Sequence, residues 1–412
     1  MPRGLHSVWP LLFGIGLLAL GNGLQGSLVG IRATAEHFSA TATGIMMSGF
    51  SAGLLVSSLL TPLVVGRVGH VRVFVAFASI VSTAILMIPL WVNGMWWFAM
   101  RFIAGVCVAG LYIVCESWLN SASTNETRGK ILSIYMIVIY GAMGLGQLLL
   151  NIQDTSGFAR FILVSALMSL ALVPISLANT EAPSIERPRT VSFAALYRGS
   201  PLAAVASFVN GLGQSAFFSM GAVYGVMQGL PLAYLSLMMA LPPLGVIVSQ
   251  YPIGFLSDRY DRRALMIALA FASAAVAALT IPVAEFSVLP LIGLFAIFGA
   301  ISMPLYSLAI AHANDHLDKD QMLGASSKLV FLYGAGSTAG PLLAGLAMQQ
   351  IGKSGFMTYM ILVYGALGLF ALYRISRRAA PRRSEAELPQ VSPATTPVAA
   401  TALAETLNEP SR

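Results

Sequence analysis

Apolar runs of about twenty residues follow one another along most of the chain. A helix of about 20 apolar residues crosses the ~30 Å hydrocarbon core of a bilayer. Only 9% of the residues are charged and the mean hydropathy is +0.79, so a water-soluble domain would lack the polar surface that it needs. Because the runs also lack the period-2 alternation of barrel strands, the sequence predicts an all-α polytopic membrane protein.

The apolar windows and one polar interruption predict the domain organisation. The predicted spans are residues 8–35, 44–65, 73–93, 96–118, 130–151, 158–178, 201–228, 232–255, 264–284, 289–312, 322–350 and 354–375. We therefore predict 12 transmembrane helices. They form an N-terminal six-helix half at 1–178 and a C-terminal six-helix half at 201–376, joined by a cytoplasmic linker at 179–200. The tail at 377–412 is Arg-rich and then Pro-, Ala- and Thr-rich, which predicts cytoplasmic disorder.

The basic residues are divided unevenly between the two sides of the predicted spans. One side holds most of them, whereas the other holds only Arg32, Arg160 and Lys353. Since loops rich in Lys and Arg stay in the cytoplasm, we predict cytoplasmic N and C termini in a bacterial-type inner membrane. The net charge of +7 then reflects the orientation of the protein in the membrane. The basic residues are scattered over many loops, which argues against nucleic acid as a partner.

The two predicted halves repeat each other at three places. The matched pairs are 62–72 (PLVVGRVGHVR) with 254–263 (GFLSDRYDRR), 22–25 (NGLQ) with 210–214 (NGLGQ), and 140–142 (YGA) with 333–335 (YGA). Paired six-helix repeats are the layout in which a site between the repeats opens alternately to either side of the membrane.

The charged loop at 254–263 resembles a motif of major facilitator superfamily transporters, G-x-L-[AS]-D-R-x-[GD]-R-R, which those proteins carry between helices two and three and between helices eight and nine. The strings at 115–120 (CESWLN), 128–130 (RGK) and 146–149 (GQLL) look like the YcaD-like branch of that superfamily. The resemblance covers residues 8 to about 375. It implies two pseudo-symmetric six-helix halves and a secondary active transporter that moves a small organic solute by alternating access.

The resemblance also implies that the loop charges form a gate at the cytoplasmic helix ends. In the first copy of the motif, Gly66 stands where the acid belongs, whereas the second copy is complete. We therefore expect an asymmetric latch in which Asp258, facing a helix N-terminus, is the stronger element. The alternative is that these charges only set the topology. The expected coupling and gating residues are Arg67, Arg101, Glu116, Asp258, Arg259, Arg262, Arg263 and Lys328.

Two of these residues lie inside the fourth predicted span. Arg101 belongs to RFIAG, similar to the family's R-x-x-x-G element, and an arginine within a span indicates a functional role unless it snorkels to the interface. The family links this arginine to proton coupling, but no acid stands at mid-depth here, so H⁺ as a coupling ion is left open. Glu116 is expected to pair with Arg67, Arg128 or Lys130, either as a gate or as a structural salt bridge.

Polar side chains at mid-depth are the candidate substrate site. An unsatisfied amide is costly near the centre of a bilayer, so each needs a partner, which is either a substrate or a neighbouring helix. Because the set is polar but uncharged, we expect a small neutral or amphipathic organic solute. The predicted cavity residues are Asn22, Gln25, Tyr112, Tyr140, Gln147, Asn210, Gln214, Tyr306 and Tyr333.

Patterns typical of enzymes are missing from the sequence. It has no phosphate-binding G-x-x-x-x-G-K loop and no metal-spaced Cys/His cluster, so we predict neither an enzyme nor a cofactor nor a metal. Two alternatives to a carrier stay open: a passive facilitator or channel, and a ligand sensor on a transporter fold. The expected partners are membrane lipid, a small-molecule substrate and a coupling ion, and the expected state is a monomer.

Overall fold

The computed structural model describes residues 3–121, 125–154, 157–176, 192–315 and 319–377, and within them the chain is helical and contains no β-strand. The first helices are α1 (Arg3–Ala35), α2 (Ala40–Val68), α3 (His70–Met87), α4 (Gly94–Ser121), α5 (Asn125–Leu148), α6 (Ala159–Leu170) and α7 (Leu172–Ser176). They are followed by α8 (Phe193–Gly199), α9 (Pro201–Met227), α10 (Leu232–Arg259), α11 (Arg262–Phe286), α12 (Val288–Ser302), α13 (Leu305–Asn314), α14 (Lys319–Ile351) and α15 (Gly355–Arg377). Most of the predicted linker and nearly all of the predicted tail lie outside the described residues.

Nine segments of the described chain are long and apolar enough to cross a bilayer. One of them, Ala325–Ser376, covers most of α14 and of α15, with a short 3-10 helix between them. Two predicted spans are broken, into α6 and α7 and into α12 and α13, and the second break lies at Pro304, which cannot donate a helical hydrogen bond. The predicted all-helical polytopic class is confirmed, and the count of twelve stays a prediction.

Helix pairings in the first six predicted spans recur in the last six. In the first set, α1 packs against α5, α2 against α4, and α3 against α6. In the second set, the corresponding pairs are α9 with α14, α10 with α12, and α11 with α15. This repetition supports the predicted duplication, while the boundaries of the halves stay a prediction.

Glycines bring the paired helices into backbone contact. A Cβ atom at Gly23 of α1 would overlap the carbonyl of Met143 in α5, and one at Gly211 of α9 would overlap the carbonyl of Tyr333 in α14. Met143 therefore holds the position opposite Gly23 that Tyr333 holds opposite Gly211. The match of Tyr140 with Tyr333 that the sequence suggests is wrong in register by three residues, from 140 to 143, nearly one helical turn.

The two sets of helices meet through α2 with α14, α5 with α10, and α1 with α9. We call the end with the 36–39 and 228–231 loops the predicted outer end, and the end with Gly69 and the 260–261 turn the predicted inner end. Between the sets, a Cβ at Gly144 would lie 2.9 Å from the Ala240 carbonyl oxygen, and Asn151 Nδ2 donates to Ser236 Oγ at 2.7 Å. These contacts lie in the predicted outer half, so the described sets are joined there.

We predict that Gly211→Ala lowers the stability of the protein. The added methyl group would overlap the backbone of Tyr333, and overpacking of this kind costs about 1–3 kcal/mol. The matched control is Gly365→Ala in α15, where a Cβ meets no atom within 4 Å and alanine favours the helix. Thermal unfolding of the purified variants measures the difference. Equal unfolding temperatures would contradict the proposed contact.

Candidate functional site

A polar link crosses between the two sets of helices at mid-depth. Ser51 of α2 and Ser215 of α9 share a hydrogen bond of 2.9 Å between their hydroxyl oxygens. Next to Ser215, the buried Gln214 donates from Nε2 to the Met303 carbonyl at 3.1 Å and accepts from the Tyr333 hydroxyl at 3.2 Å. The rings of Tyr333 and the buried Tyr306 lie 4.7 Å apart. The structure thus brings together three of the predicted cavity residues: Gln214, Tyr306 and Tyr333.

Three buried amides on α1, α5 and α9 keep unsatisfied polar atoms. Gln25 is 1% exposed, and neither Nε2 nor Oε1 has a hydrogen-bond partner. Gln147 Oε1 is also without a partner. Asn210 donates from Nδ2 to the Ala206 carbonyl at 2.9 Å, but its Oδ1 has no partner. Since buried polar groups are usually paired, these atoms indicate a site where a ligand or water binds.

The helix contacts place two of these amides at one level. A Cβ at Gly146 would lie 3.1 Å from the Leu24 backbone nitrogen, so Gln147 and Gln25, the residues that follow, lie on adjoining turns of α5 and α1. Two other predicted cavity residues have less defined positions. Asn22 is partly buried on α1, and the buried Tyr140 lies within electrostatic range of Tyr333. Tyr112 has a buried hydroxyl without a hydrogen-bond partner.

Arg101 lies inside the bundle. Arg101 is 3% exposed, and its guanidinium carbon lies 4.5 Å from the centre of the Phe50 ring. Its Nε atom has no hydrogen-bond partner, and no carboxylate of the described residues pairs with it. This geometry argues against snorkelling to the interface, and it leaves the buried charge without a counter-charge among the described residues.

Glu116 is buried between α4 and α5, where it is 1% exposed and accepts a short hydrogen bond from the Tyr135 hydroxyl. Tyr135 is not among the partners expected from the sequence. Of those expected partners, Arg67 and Lys130 are exposed, and the Arg128 side chain lies outside the described residues. Tyr112, one turn before Glu116 on α4, is close enough to interact with its charge. The three side chains form one polar cluster toward the predicted inner end.

Arg262 is the centre of the charged network at the predicted inner end. From the start of α11 it pairs with Asp315 and, at 3.4 Å, with Asp258. It also donates to Ser257 Oγ at 3.1 Å and to the Ala311 carbonyl at 3.2 Å. One side chain therefore links the ends of α10, α11 and α13, all in the predicted C-terminal half.

The carboxylate at the start of α11 is Asp261, whereas Asp258 was expected to face a helix N-terminus. Asp261 accepts from the Arg263 backbone N–H at 2.9 Å and from the Arg263 guanidinium at 2.8–3.2 Å. Asp258 lies at the end of α10 with 67% of its side chain exposed. Arg259 lies over the Phe255 ring at 4.0 Å, and Lys328 lies 4.7 Å from the centre of the Phe193 ring.

The first copy of the loop motif is built from different contacts. Gly69, with φ of 88°, makes the turn between α2 and α3, a conformation that favours glycine. His70 follows and shares a hydrogen bond of 3.1 Å with the Ser117 hydroxyl, and its ring lies 5.9 Å from that of Trp118. The copies therefore differ in structure, as the difference in their charges suggests.

Some of these residues were not expected from the sequence. Asp261 could have been found, because an aspartate just before a helix is a common N-cap. Asp315, Tyr135 and the Ser51–Ser215 pair carry no such local signal, since each acts through contact with a distant helix.

The family model of the Major Facilitator Superfamily matches residues 11–242 and 203–410. The chain belongs to the major facilitator superfamily. This is a family of transporters, and with its apolar helices the chain is a multi-pass membrane protein.

Relatives of this superfamily chain include bacterial proteins named uncharacterized MFS-type transporter YcaD. The one from Escherichia fergusonii is 28% identical over 371 residues, which cover 89% of this chain and 95% of the relative. The one from Shigella flexneri is 28% identical over 342 residues, covering 82% and 88%. The predicted resemblance to the YcaD-like branch is confirmed, and the bacterial relatives fit the predicted inner membrane.

Solved structures share the major facilitator fold with this chain. A bacterial homolog of the human lysosomal transporter Spinster, inward-facing and unoccupied, has a TM-score of 0.69 at 14% identity, covering 94% of this chain and 100% of that one. The nucleoside transporter NupG has a TM-score of 0.65 at 14% identity, covering 91% and 99%. At this identity the likeness shows the fold alone.

In this major facilitator chain, we predict that Arg262→Gln destabilises the protein more than Arg259→Gln. Arg262 loses two ion pairs and two further hydrogen bonds, and hydrogen bonds to charged groups contribute about 1.5–3 kcal/mol. Arg259 loses a cation–π contact of about 0.5–1 kcal/mol. Thermal unfolding in detergent measures both. A larger loss in Arg259→Gln would contradict the central place of Arg262.

The Asp261 carboxylate predicts a pH dependence of stability. Its hydrogen bond with the Arg263 side chain holds the pKa of Asp261 below its usual range. The charged form is thus favoured in the folded protein, so its stabilising effect is present above the ordinary pKa and is lost as the pH falls through the lowered one. The unfolding temperatures of wild type and Asp261→Asn should differ at pH 7, and the difference should shrink as the pH falls below about 4 and vanish once it lies below the lowered pKa of Asp261. A difference that stays constant with pH would contradict this.

Proposed function

We propose that this protein is a secondary active transporter that moves a small organic solute with an acidic group across the inner membrane by alternating access. The observation that carries the proposal is the set of buried polar atoms without partners on α1, α5 and α9, helices that meet between the two sets or within them, together with the uncompensated charge of Arg101 on α4. Binding in this region would couple a solute to both halves.

The amides support a site for a polar solute. Gln25 offers an unpaired donor and acceptor, and Gln147 and Asn210 each offer an acceptor. A buried polar group without a partner costs about 1–3 kcal/mol, which a solute with matching groups would recover. Few convergent polar groups among apolar walls are typical of small-molecule sites.

Arg101 supports an acidic solute in place of the neutral one suggested by the sequence. A buried guanidinium is strongly destabilising when unpaired, and within a membrane it usually faces a cavity or a counter-charge. No carboxylate in the described part of the chain supplies that charge. A solute carboxylate would supply it as a charge-assisted, bidentate pair.

Alternating access is supported by where the halves touch. Close contacts between the halves lie from the predicted outer end to mid-depth, as at Gly144 and at Asn151 with Ser236, whereas the ion pairs around Arg262 at the predicted inner end stay within the second set of helices. We propose a two-state exchange in which the outer contacts open as the inner end closes. We place both termini in the cytoplasm, and we propose a monomer that takes its energy from a solute or ion gradient.

We predict that solute recognition depends on Arg101. Proteoliposomes are tested with matched pairs of labelled acids and amides, such as benzoate with benzamide and succinate with succinamide. We expect uptake of an acid but not of its amide, a loss of at least about 10-fold in Arg101→Gln, and partial retention in Arg101→Lys. The control is Lys353→Gln, an exposed cation at the predicted outer end. Uptake of amides that is unchanged in Arg101→Gln would contradict the acidic solute.

A cross-link at the predicted outer end tests alternating access. Asn151→Cys and Ser236→Cys lie across the contact, because the native side chains are hydrogen-bonded at 2.7 Å. The native cysteines, Cys107 and Cys115, are buried and are replaced by serine first. A short bis-methanethiosulfonate reagent should stop transport reversibly in the double variant but not in either single one. Transport that continues after cross-linking would favour the passive facilitator or channel.

A further inference from the structure

A small basic cleft lies at the predicted inner end of the second set of helices, away from the proposed solute site. It is formed where α9 and α11 begin and where α13 and α15 approach their ends. Its volume is about 20 Å³, which leaves room for one or two water-sized groups. We call it the basic cleft, and it is lined by Gly199, Ser200, Pro201, Leu202, Arg263, His312 and Arg374.

The charge of the cleft is positive. Arg263 is balanced by Asp261, whose oxygens accept from its guanidinium at 2.8–3.2 Å. Arg374 is partly buried, and no carboxylate of the described residues forms an ion pair with it. His312 lies on the same wall and is 5% exposed. The cleft therefore has one cationic group more than its anionic groups, before His312 is protonated.

The start of α9 adds to this field. This helix is 27 residues long and begins with Pro201, so its first free N–H groups and the positive end of its dipole lie at the cleft. The N-terminus of a long helix favours anions, and phosphate groups in particular. Taken alone, this feature would only describe a helix end.

Ser200 provides a second, independent observation. It is 1% exposed, and its hydroxyl has neither a capping bond to the helix nor any other hydrogen-bond partner. A buried hydroxyl without a partner is destabilising by about 1–3 kcal/mol. As Ser200 lines the cleft, its hydroxyl is placed to donate to an anion there.

We propose that the basic cleft binds the phosphate group of an anionic ligand, held by Arg374, the Ser200 hydroxyl and the start of α9. One or two of the phosphate oxygens would enter the cleft, and the rest of the ligand would stay outside. An anionic phospholipid headgroup and a free phosphate share this chemistry. Tyr197 and Tyr373, both 53% exposed, flank the cleft in sequence, and exposed aromatic side chains of this kind are typical of the lipid–water interface.

The test uses the full chain and reads stability, so it does not depend on transport. Thermal unfolding is followed in two arms: detergent-solubilised protein with inorganic phosphate or with chloride at equal ionic strength, and nanodiscs of phosphatidylcholine with or without phosphatidylglycerol. We expect an increase in unfolding temperature of a few degrees with the phosphate-bearing anion. A response to phosphatidylglycerol alone identifies a lipid headgroup, and a response to inorganic phosphate identifies a free phosphate.

Variants assign the response to the cleft. Arg374→Gln should weaken the apparent affinity at least 10-fold, and Ser200→Ala should weaken it about 3-fold to 10-fold while leaving the unliganded protein at least as stable, because it removes an unpaired hydroxyl. Arg374→Lys keeps the positive charge, so it tests the role of the Arg374 guanidinium even if Arg374→Gln does not fold. Arg259→Gln, outside the cleft, should respond like wild type. No response in either arm, or equal responses in wild type and in both cleft variants, would overturn the proposal.

Discussion

Backbone contact between helices at glycine residues is the constraint on which this structure depends. In lipid, helices gain little from burying apolar side chains against one another, so close packing at small residues holds them together. Gly23 and Gly146 bring α1 to α5, and Gly211 and Gly336 bring α9 to α14. The same contacts place Gln25 and Gln147 at one level on adjoining helices, and the buried Asn210 directly precedes the contact at Gly211. Glycine packing thus positions the polar residues as well as the helices.

The buried polar residues that lack partners lower the stability of the fold. A sequence selected only to pack would replace Gln25, whose side chain has no hydrogen-bond partner, and Arg101, whose charge has no counter-charge among the described residues, with apolar side chains. Local choices that oppose the fold are expected where function requires them. The Ser51–Ser215 and Gln214–Tyr333 bonds, by contrast, are satisfied and can hold the helices together without a ligand. The interior therefore divides into a structural polar link and a set of unsatisfied groups.

The sequence allowed the helical class, the family and the charged loop to be predicted, because each is encoded locally in apolar runs or in a short motif. The sequence could not show the register of the packed helices or the bonding partners of their polar side chains. The YGA strings at 140–142 and 333–335 match in sequence. In the packing, however, Met143 takes the position in α5 that Tyr333 takes in α14, because the glycines at each helix contact decide how far one helix is shifted along the other. Likewise, the bonds of Arg262 with Asp315 and of Tyr135 with Glu116 join residues far apart in sequence. Such pairs follow from the fold and leave no local pattern.

The two ends of the molecule are held by different interactions: backbone contacts join the two sets of helices toward the predicted outer end, whereas the ion pairs around Arg262 join helix ends within the second set. Backbone contacts such as Gly44 with Pro341 are short-ranged and are lost entirely when helices separate. Partly exposed ion pairs such as Arg262 with Asp258 contribute only about 0–1 kcal/mol, and water solvates their charges when they break. An equilibrium between two states needs differences of only a few kcal/mol. The ion pairs around Arg262 can therefore break and form within the second set of helices without locking either state, while bound solute acts on the interior that both states share.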